Sequence, residues 1–212
     1  MHFIYTVTIP IYSTGKCKEV VTCITEKTGV YAFTPGQNQR IQEYHIEILN
    51  RAKNTNNSNE MSVVIRLDLP DQQNDIWLSG SVNEVKFDGT YADFAIRFAP
   101  YRTIFIMHNH PSTQNFSYSD IMLFAINMSV YGITVVTNTG ETHILCKTEK
   151  FEYQKFKEFI CIMRENIIEQ LKEISDTEYK QKVIQETLAK EIVKYSEKLG
   201  LYYKHGGGTH GR

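Results

Sequence analysis

The sequence predicts an α/β domain, with a mixed central β-sheet flanked by helices, followed by a C-terminal helical extension. Three observations support this fold class. As far as residue 149, short β-rich segments alternate with amphipathic helical segments. The segment "RTIFIMHNH" is almost continuously apolar before its histidines, which is typical of a strand buried on both faces. Beyond Lys150 the chain is rich in charged residues, with apolar positions at helical spacing.

The first half of the chain predicts strands around one helix. Residues 1–34 alternate apolar and polar positions and predict two or three strands, which the dipeptide "PG" ends. Residues 39–53 carry apolar side chains at helical spacing and predict an amphipathic helix. Residues 60–69 and 76–83 predict two antiparallel strands around the turn "PDQQND".

The second half predicts two helices, a buried strand and a hairpin. Residues 91–100 predict a short helix, and residues 102–110 predict the buried strand. Residues 117–131 predict an amphipathic helix that Gly132 ends. The segment "ITVVTNTGETHILCKT" predicts a hairpin with its turn at "NTGE".

The C-terminal region predicts two helices and a tail. An apolar stripe from Phe156 to Leu171 marks the first helix, and residues 176–199 predict the second. The ending "HGGGTHGR" is glycine-rich, and although its histidines could bind metal weakly, we expect it to be disordered. The sequence thus predicts a domain at 1–149, a helical extension at 150–204 and a flexible tail at 205–212.

Composition limits the classes of partner. The chain has 23 basic and 24 acidic residues, so bulk charge does not predict a nucleic-acid or membrane partner. No apolar run is long enough for a spanning helix, and the start lacks a signal-peptide pattern, so we expect a cytoplasmic protein. Four scattered cysteines without a C-x-x-C pair agree with a reducing compartment: Cys17, Cys23, Cys146 and Cys161.

The stretch "HNHPSTQNFSYSD" holds the strongest chemical signal. Because side chains alternate along a strand, His108 and His110 point to the same side of the sheet. Asp120 falls in the first turn of the next helix, from which its carboxylate can return to the histidines. Two imidazoles and one carboxylate are a familiar catalytic zinc set, which leaves a fourth position for water. Such a water can have a pKa of about 7.

The same residues also have a purely structural interpretation. Ser117 is a plausible helix N-cap, with Asp120 at the third helical position, where a carboxylate interacts well with the helix dipole. A histidine pair at a strand end can simply be a polar terminus. Capping alone would then account for Ser117 and Asp120.

The order "HNHPS", then Ser117 and Asp120, resembles the JAMM motif of the JAB/MPN zinc metallopeptidases, and most of all their RadC-like branch. The upstream segment "NEMSVVIRLDLPDQQNDIWLSGSVN" is also similar to RadC-like proteins. The resemblance covers residues 39–147. It implies a JAB/MPN fold, similar to that of cytidine deaminases, within the domain at 1–149.

The resemblance also implies roles for individual residues. His108, His110 and Asp120 would bind Zn2+, and Ser117 would donate a hydrogen bond to the developing oxyanion. Glu60 would act as general base, taking a proton from water and passing it to the leaving amine. Three other acidic residues compete for that role: Glu84, just after "GSVN", and Glu43 and Glu47 on the preceding helix. His143, on the hairpin, is treated as a non-ligand because three ligands are already assigned.

The implied function is hydrolysis of a peptide or isopeptide bond in a protein or peptide substrate. The loop "PSTQNF" is one residue shorter than the family pattern, and Thr113 stands where RadC-like proteins commonly have glycine. This difference favours an alternative, a catalytically silent RadC-like binding module in DNA-associated or mobile-element biology. A third interpretation, a zinc deaminase, is disfavoured because the chain lacks the C-x-x-C pair.

Overall fold

The structure is a computed structural model that describes residues 35–69, 74–82, 84–112 and 114–206. The strands predicted in residues 1–34 and the tail beyond residue 206 lie outside the described residues. The helices are α1 Pro35–Thr55, α2 Tyr91–Phe98, α3 Tyr118–Ile126, α4 Tyr153–Gln170 and α5 Thr177–Lys194. The strands are β1 Met61–Arg66, β2 Ile76–Ser79, β3 Ile104–His110, β4 Val130–Thr137, β5 Thr142–Lys147 and β6 Leu201–Gly206.

The six strands form one mixed sheet in the order β2-β1-β3-β4-β5-β6. Strands β3 and β4 are parallel and are joined by α3, whereas the other neighbouring pairs of described strands are antiparallel. A parallel pair requires a crossover connection, and α3 supplies it. The predicted α/β class, with a mixed sheet flanked by helices, is confirmed.

Apolar side chains cover both faces of the sheet. On one face, α1 packs Ile41, Ile48 and Ala52 against the sheet. On the other face, α2 to α5 form a larger core against the sheet. Strand β3 has no exposed residue, as predicted for a strand that both layers cover. The strand's last residues are therefore polar groups in a buried setting.

The helix predicted at 117–131 is shorter in the structure. It ends at Ile126, and β4 already begins at Val130. Gly132 does not end the helix but lies inside β4, where a Cβ atom would come within 2.5 Å of the Phe105 ring. The glycine is needed for close packing across the sheet, a requirement that the helical spacing of the sequence does not reveal.

Two further boundaries differ from the sequence prediction. The helix predicted to begin at residue 39 begins at Pro35, which agrees with the tolerance of the first helical turn for proline. At the other end, β6 continues through His205 to Gly206, although the tail was expected to begin at residue 205. Pairing with β5 supplies backbone hydrogen bonds that hold these residues in the sheet.

The helical extension shares the core of the sheet rather than forming a separate unit. Phe156 and Ile160 of α4 and Leu188 of α5 belong to the same buried cluster as Ile106 and Val135 of the sheet. The two predicted helices are confirmed as α4 and α5, and a short 3-10 turn at Glu197–Leu199 leads into β6.

In the part of the chain that the structure describes, none of the helices has both the length and the apolar content needed to span a bilayer.

Candidate metal centre

The H-x-H pair lies at the carboxyl end of β3, beside the start of α3. His108 and His110 point to the face that α3 covers, and each is less than one tenth exposed. Asp120 is in the first turn of α3, and its side chain is 21% exposed. The strand, the loop and the helix start therefore bring together the three residues that the sequence nominates as metal ligands.

The ligand atoms of the three side chains lie close together, and each histidine faces a different oxygen of Asp120. The Nε2 atoms of His108 and His110 are 3.2 Å apart. Each of these nitrogens lies 3.4 Å from a carboxylate oxygen of Asp120. Ligand atoms that each lie about 2.0–2.1 Å from a tetrahedral zinc ion are about 3.3 Å from one another. The donor types and their separations therefore fit a zinc ion.

Asp120 takes part both in the N-terminal cap of α3 and in the proposed ligand set. Its Oδ2 atom accepts hydrogen bonds from the backbone N–H and the hydroxyl of Ser117, both at 2.7 Å. The Oδ1 atom faces His108. The capping interpretation of Ser117 is thus confirmed, and the capped Oδ2 atom also lies 3.4 Å from Nε2 of His110. The cap thus helps to hold the carboxylate with one oxygen toward each histidine.

Glu60 borders the same small cavity as His108 and Asp120. The cavity has a volume of about 30 Å³, enough for about two water molecules. Its opposite wall is apolar, from Val85, Phe87 and neighbouring side chains of the sheet and α3. A water molecule in this cavity would meet ligand groups on one side and the Glu60 carboxylate on another.

The backbone at Glu60 is firmly held. Its N–H donates to the carbonyl of Ser81 at 2.9 Å, and its carbonyl accepts from the N–H of Gly80 and from the side chain of Asn56, both at 2.8 Å. Gly80 has no space for a larger residue, because a Cβ atom there would lie 2.3 Å from the carbonyl oxygen of Glu84.

The setting of Glu60 suits a general base. Burial raises its pKa to about 7; His110 opposes this rise, whereas the charges of Asp120 and Glu84 add to it. A carboxylate with a pKa near neutrality can both take up and release a proton at physiological pH.

The competing glutamates lie elsewhere. Glu84 is largely exposed, 4.0 Å from Lys86. On α1, Glu43 accepts a hydrogen bond from Gln39, and Glu47 forms an ion pair with Arg51.

The carboxylates and imidazoles of the centre shift one another's pKa values. Burial alone would raise the pKa of Asp120, but the charges and hydrogen bonds of His108 and His110 outweigh it and hold the pKa well below its usual value. Burial lowers the pKa of His110. The hydrogen bond and charge of Asp120, together with the charge of Glu60, outweigh this effect, so the net shift of the pKa is upward. The carboxylate of Asp120 and the two imidazoles are therefore electrostatically coupled, as expected for groups that lie within 3.4 Å of one another.

Asn109 was not predicted as a site residue, yet it connects the two halves of the centre. Its side-chain oxygen accepts from the N–H of Met61 at 2.7 Å. Its side-chain amide donates to the carbonyl of Asn59 and to the side chain of Asn138. The residue between the histidines thus fixes the chain on both sides of Glu60. The only signal in the sequence was a polar residue within a buried strand.

No protein family model, no curated protein and no solved structure matches this chain.

Proposed function

We propose that the protein is a zinc-dependent hydrolase of amide bonds, with a domain of the JAB/MPN type and its RadC-like branch. The observation that carries this proposal is the cluster of His108, His110 and Asp120. The two Nε2 atoms are 3.2 Å apart, and each lies 3.4 Å from one oxygen of the carboxylate, which are separations that suit ligands of one zinc ion. Glu60, on the wall of the same cavity, supplies the general base. The substrate class is a peptide or isopeptide in a protein.

His108, His110 and Asp120 would hold the ion, and Asp120 is oriented for this by the Ser117 cap. A bound zinc ion in such a site acidifies water and polarises a carbonyl group. The chain's own contribution to the reaction is proton transfer. Glu60 accepts a proton from the attacking water and then donates it to the nitrogen of the leaving amine, which ends the step with Glu60 ionised again.

We also propose that the hydroxyl of Ser117 donates a hydrogen bond to the developing oxyanion. In the structure its hydroxyl donates a hydrogen bond to Asp120. An oxyanion role therefore requires the hydroxyl to turn from the carboxylate to the substrate. The backbone N–H of Ser117 continues to hold Asp120 in either arrangement.

Zinc stoichiometry tests the metal centre. Protein without a purification tag is stripped with a chelator, loaded with zinc, desalted and analysed for metal. Both His108→Ala and Asp120→Ala should lose one equivalent of zinc relative to the parent, because each removes one of three ligands. Glu60→Gln should keep it, because Glu60 is not a ligand. Zinc content that is indifferent to both His108 and Asp120 would refute the centre.

Hydrolysis is tested separately with the loaded protein. The probes are a mixture of fluorogenic peptides and an isopeptide formed between a glycine carboxyl group and a lysine side chain. Cleavage that requires zinc and falls at least a hundredfold in Glu60→Gln, with zinc content unchanged, supports the assignment of the base. Full activity in Glu60→Gln would refute it. Glu84→Gln is the matched control and should retain activity.

The short loop favours the second candidate function, a catalytically silent binding module. The segment between His110 and Ser117 is one residue shorter than the family pattern, and it is tied back by a contact of 3.1 Å between His110 Nδ1 and the carbonyl of Gln114. This candidate predicts one zinc ion bound at the centre without cleavage of either probe.

A further inference from the structure

A second cluster of metal-binding side chains lies on the neighbouring strands. Glu141 precedes β5, His143 lies on β5, and His205 lies opposite His143 on β6. One ligand atom from each residue lies within 4.8 Å of the others. The two imidazole rings stack with a centroid distance of 4.5 Å and an interplanar angle of 9°.

His143 carries a buried nitrogen that the described residues leave unpaired. The residue is 6% exposed, and its Nε2 atom has no hydrogen-bond partner among them. Buried polar atoms without a partner are rare in folded proteins, so this nitrogen calls for a ligand. The neighbouring ligand groups are His205, which is exposed, and Glu141, which is partly buried.

The other nitrogen of His143 is held as in a metal-binding imidazole. Nδ1 lies 3.0 Å from the hydroxyl oxygen of Tyr203, which also accepts a hydrogen bond from the side chain of Asn115. When Nδ1 donates to this oxygen, the lone pair of the ring resides on Nε2. Metal-binding histidines typically use one nitrogen for the ion and donate with the other.

We propose that Glu141, His143 and His205 bind a second zinc ion, which fastens the last strand of the sheet to its neighbour. Two imidazoles and a carboxylate suit zinc, whereas calcium and magnesium prefer oxygen ligands. The ligand atoms lie within 4.8 Å of one another and must approach by up to about 1.5 Å to reach the separation of about 3.3 Å in a tetrahedral site. His205, which is exposed, and Glu141, which is only partly buried, supply this adjustment.

This site is distinct from the metal centre on β3. His108 pairs with Val135 on β4, which pairs with His143 on β5, so two strand spacings separate the histidines. Two spacings are about 10 Å, whereas the ions of a two-metal catalytic site are about 4 Å apart. The second ion is therefore structural, and its binding does not depend on the proposed hydrolase function.

Zinc counting on the full-length, untagged protein tests the proposal. The parent should bind two equivalents, His205→Ala one, His108→Ala one, and the double variant none. Because His205 is exposed, its replacement leaves the core intact. Lys204→Ala, the adjacent position on β6, and His210→Ala, beyond the described residues, are controls that should both keep two equivalents.

The individual outcomes separate the two sites. One equivalent in the parent, lost in His108→Ala and kept in His205→Ala, overturns the second site and leaves the first. One equivalent that is lost in His205→Ala and kept in His108→Ala supports the second site and overturns the first. If the parent binds no zinc, neither site exists.

Tyr203→Phe tests how His143 is held. In the His108→Ala background, where only the second site remains, this change should weaken zinc binding by about 10–100-fold, measured by competition with a chromophoric chelator. The phenyl ring preserves the packing and removes the hydroxyl group alone. Unchanged affinity would overturn the proposed coordination through Nε2 of His143.

Discussion

At the scale of single residues, Asn109 shows how one buried side chain can serve both stability and chemistry. It satisfies the N–H of Met61 and the carbonyl of Asn59, on the two sides of Glu60. Because side chains alternate along β3, the two histidines proposed as metal ligands lie on one face, and Asn109, which holds the segment of Glu60, lies on the other.

Replacing Asn109 with alanine should lower the free energy of unfolding by about 1–3 kcal/mol, because buried polar groups lose their partner. Hydrolysis of the probe peptide should fall more than zinc affinity, since Glu60 loses its support while the ligands remain. Asn127→Ala, which removes a side-chain hydrogen bond at the end of α3, is the control for stability. Equal loss of zinc and activity would contradict the positioning role.

We expect the buried side chain of Lys147 to make the free energy of unfolding depend on pH. It is fully buried, with Nζ 2.6 Å from the carbonyl of Asn127. Burial lowers its pKa to about 7, and the charge of Arg102 adds to this effect. Between pH 7 and the unfolded-state pKa of about 10.5, the unfolded chain binds more protons than the folded chain, so stability rises with pH.

The variant Lys147→Met should abolish this contribution. Denaturant unfolding at intervals between pH 7 and 9 should show a steeper rise in the free energy of unfolding for the parent than for the variant. The difference in slope is at most about 1.4 kcal/mol per pH unit. Parallel curves would show that Lys147 is not deprotonated on folding.

At the scale of elements, the start of α3 couples a helix cap to a ligand. Ser117→Ala removes the side-chain acceptor for the N–H of Asp120 and one donor to its carboxylate. We expect a loss of about 1 kcal/mol in the free energy of unfolding and zinc affinity about tenfold lower. Calorimetry and chelator competition measure the two effects.

Thr90 provides the matched control for this prediction. It caps α2 in the same manner, by accepting from the N–H of Asp93, but it is not among the residues of the metal centre. Thr90→Ala should cost similar stability without changing zinc affinity. If both variants weakened zinc binding equally, the effect would come from general destabilisation.

The elements also show what sequence patterns can predict. The buried strand β3, the hairpin of β4 and β5 and the ligand spacing follow from periodicity, turn residues and side-chain alternation. The end of α3 cannot be predicted in this way, because Gly132 lies inside a strand, where it packs closely against Phe105, and does not end the helix. Strand β6 was missed because its glycine-rich ending resembles a tail, whereas pairing with β5 is a tertiary effect.

The same distinction applies to the candidate site. The H-x-H spacing and the cap spacing predict which local side chains meet. The position of Glu60 required a family resemblance, since nothing local reveals that β1 lies beside β3. The pairing of His143 with His205 joins residues far apart in the chain, and no local pattern contains it.

At the scale of the whole molecule, the extension after residue 150 completes the core of the sheet. Side chains from α4 and α5 are buried in the same cluster as residues of β3 and β4. Removing them would expose this apolar face to water, at about 25 cal/mol for each Å² of apolar surface. The extension is therefore part of the folding unit.

A chain ending at residue 150 should consequently show no cooperative thermal transition by circular dichroism. A chain ending at Gly206, which retains β6, should unfold like the parent. A cooperative transition in the shorter chain would mean that the sheet and α1 to α3 fold without the extension.

The connection from β3 to β4 through α3 also affects the order in which the residues of the proposed site come together during folding. All three ligands of the metal centre lie in one continuous stretch from His108 to Asp120, which closes a short loop. Glu60 joins them only when β1 pairs with β3, a contact between residues 48 apart in sequence at Met61 and Asn109. Contacts between distant residues form more slowly. If the proposed centre binds zinc, the local strand–loop–helix unit that carries all three ligands can therefore form and bind the ion before β1 brings Glu60 beside it.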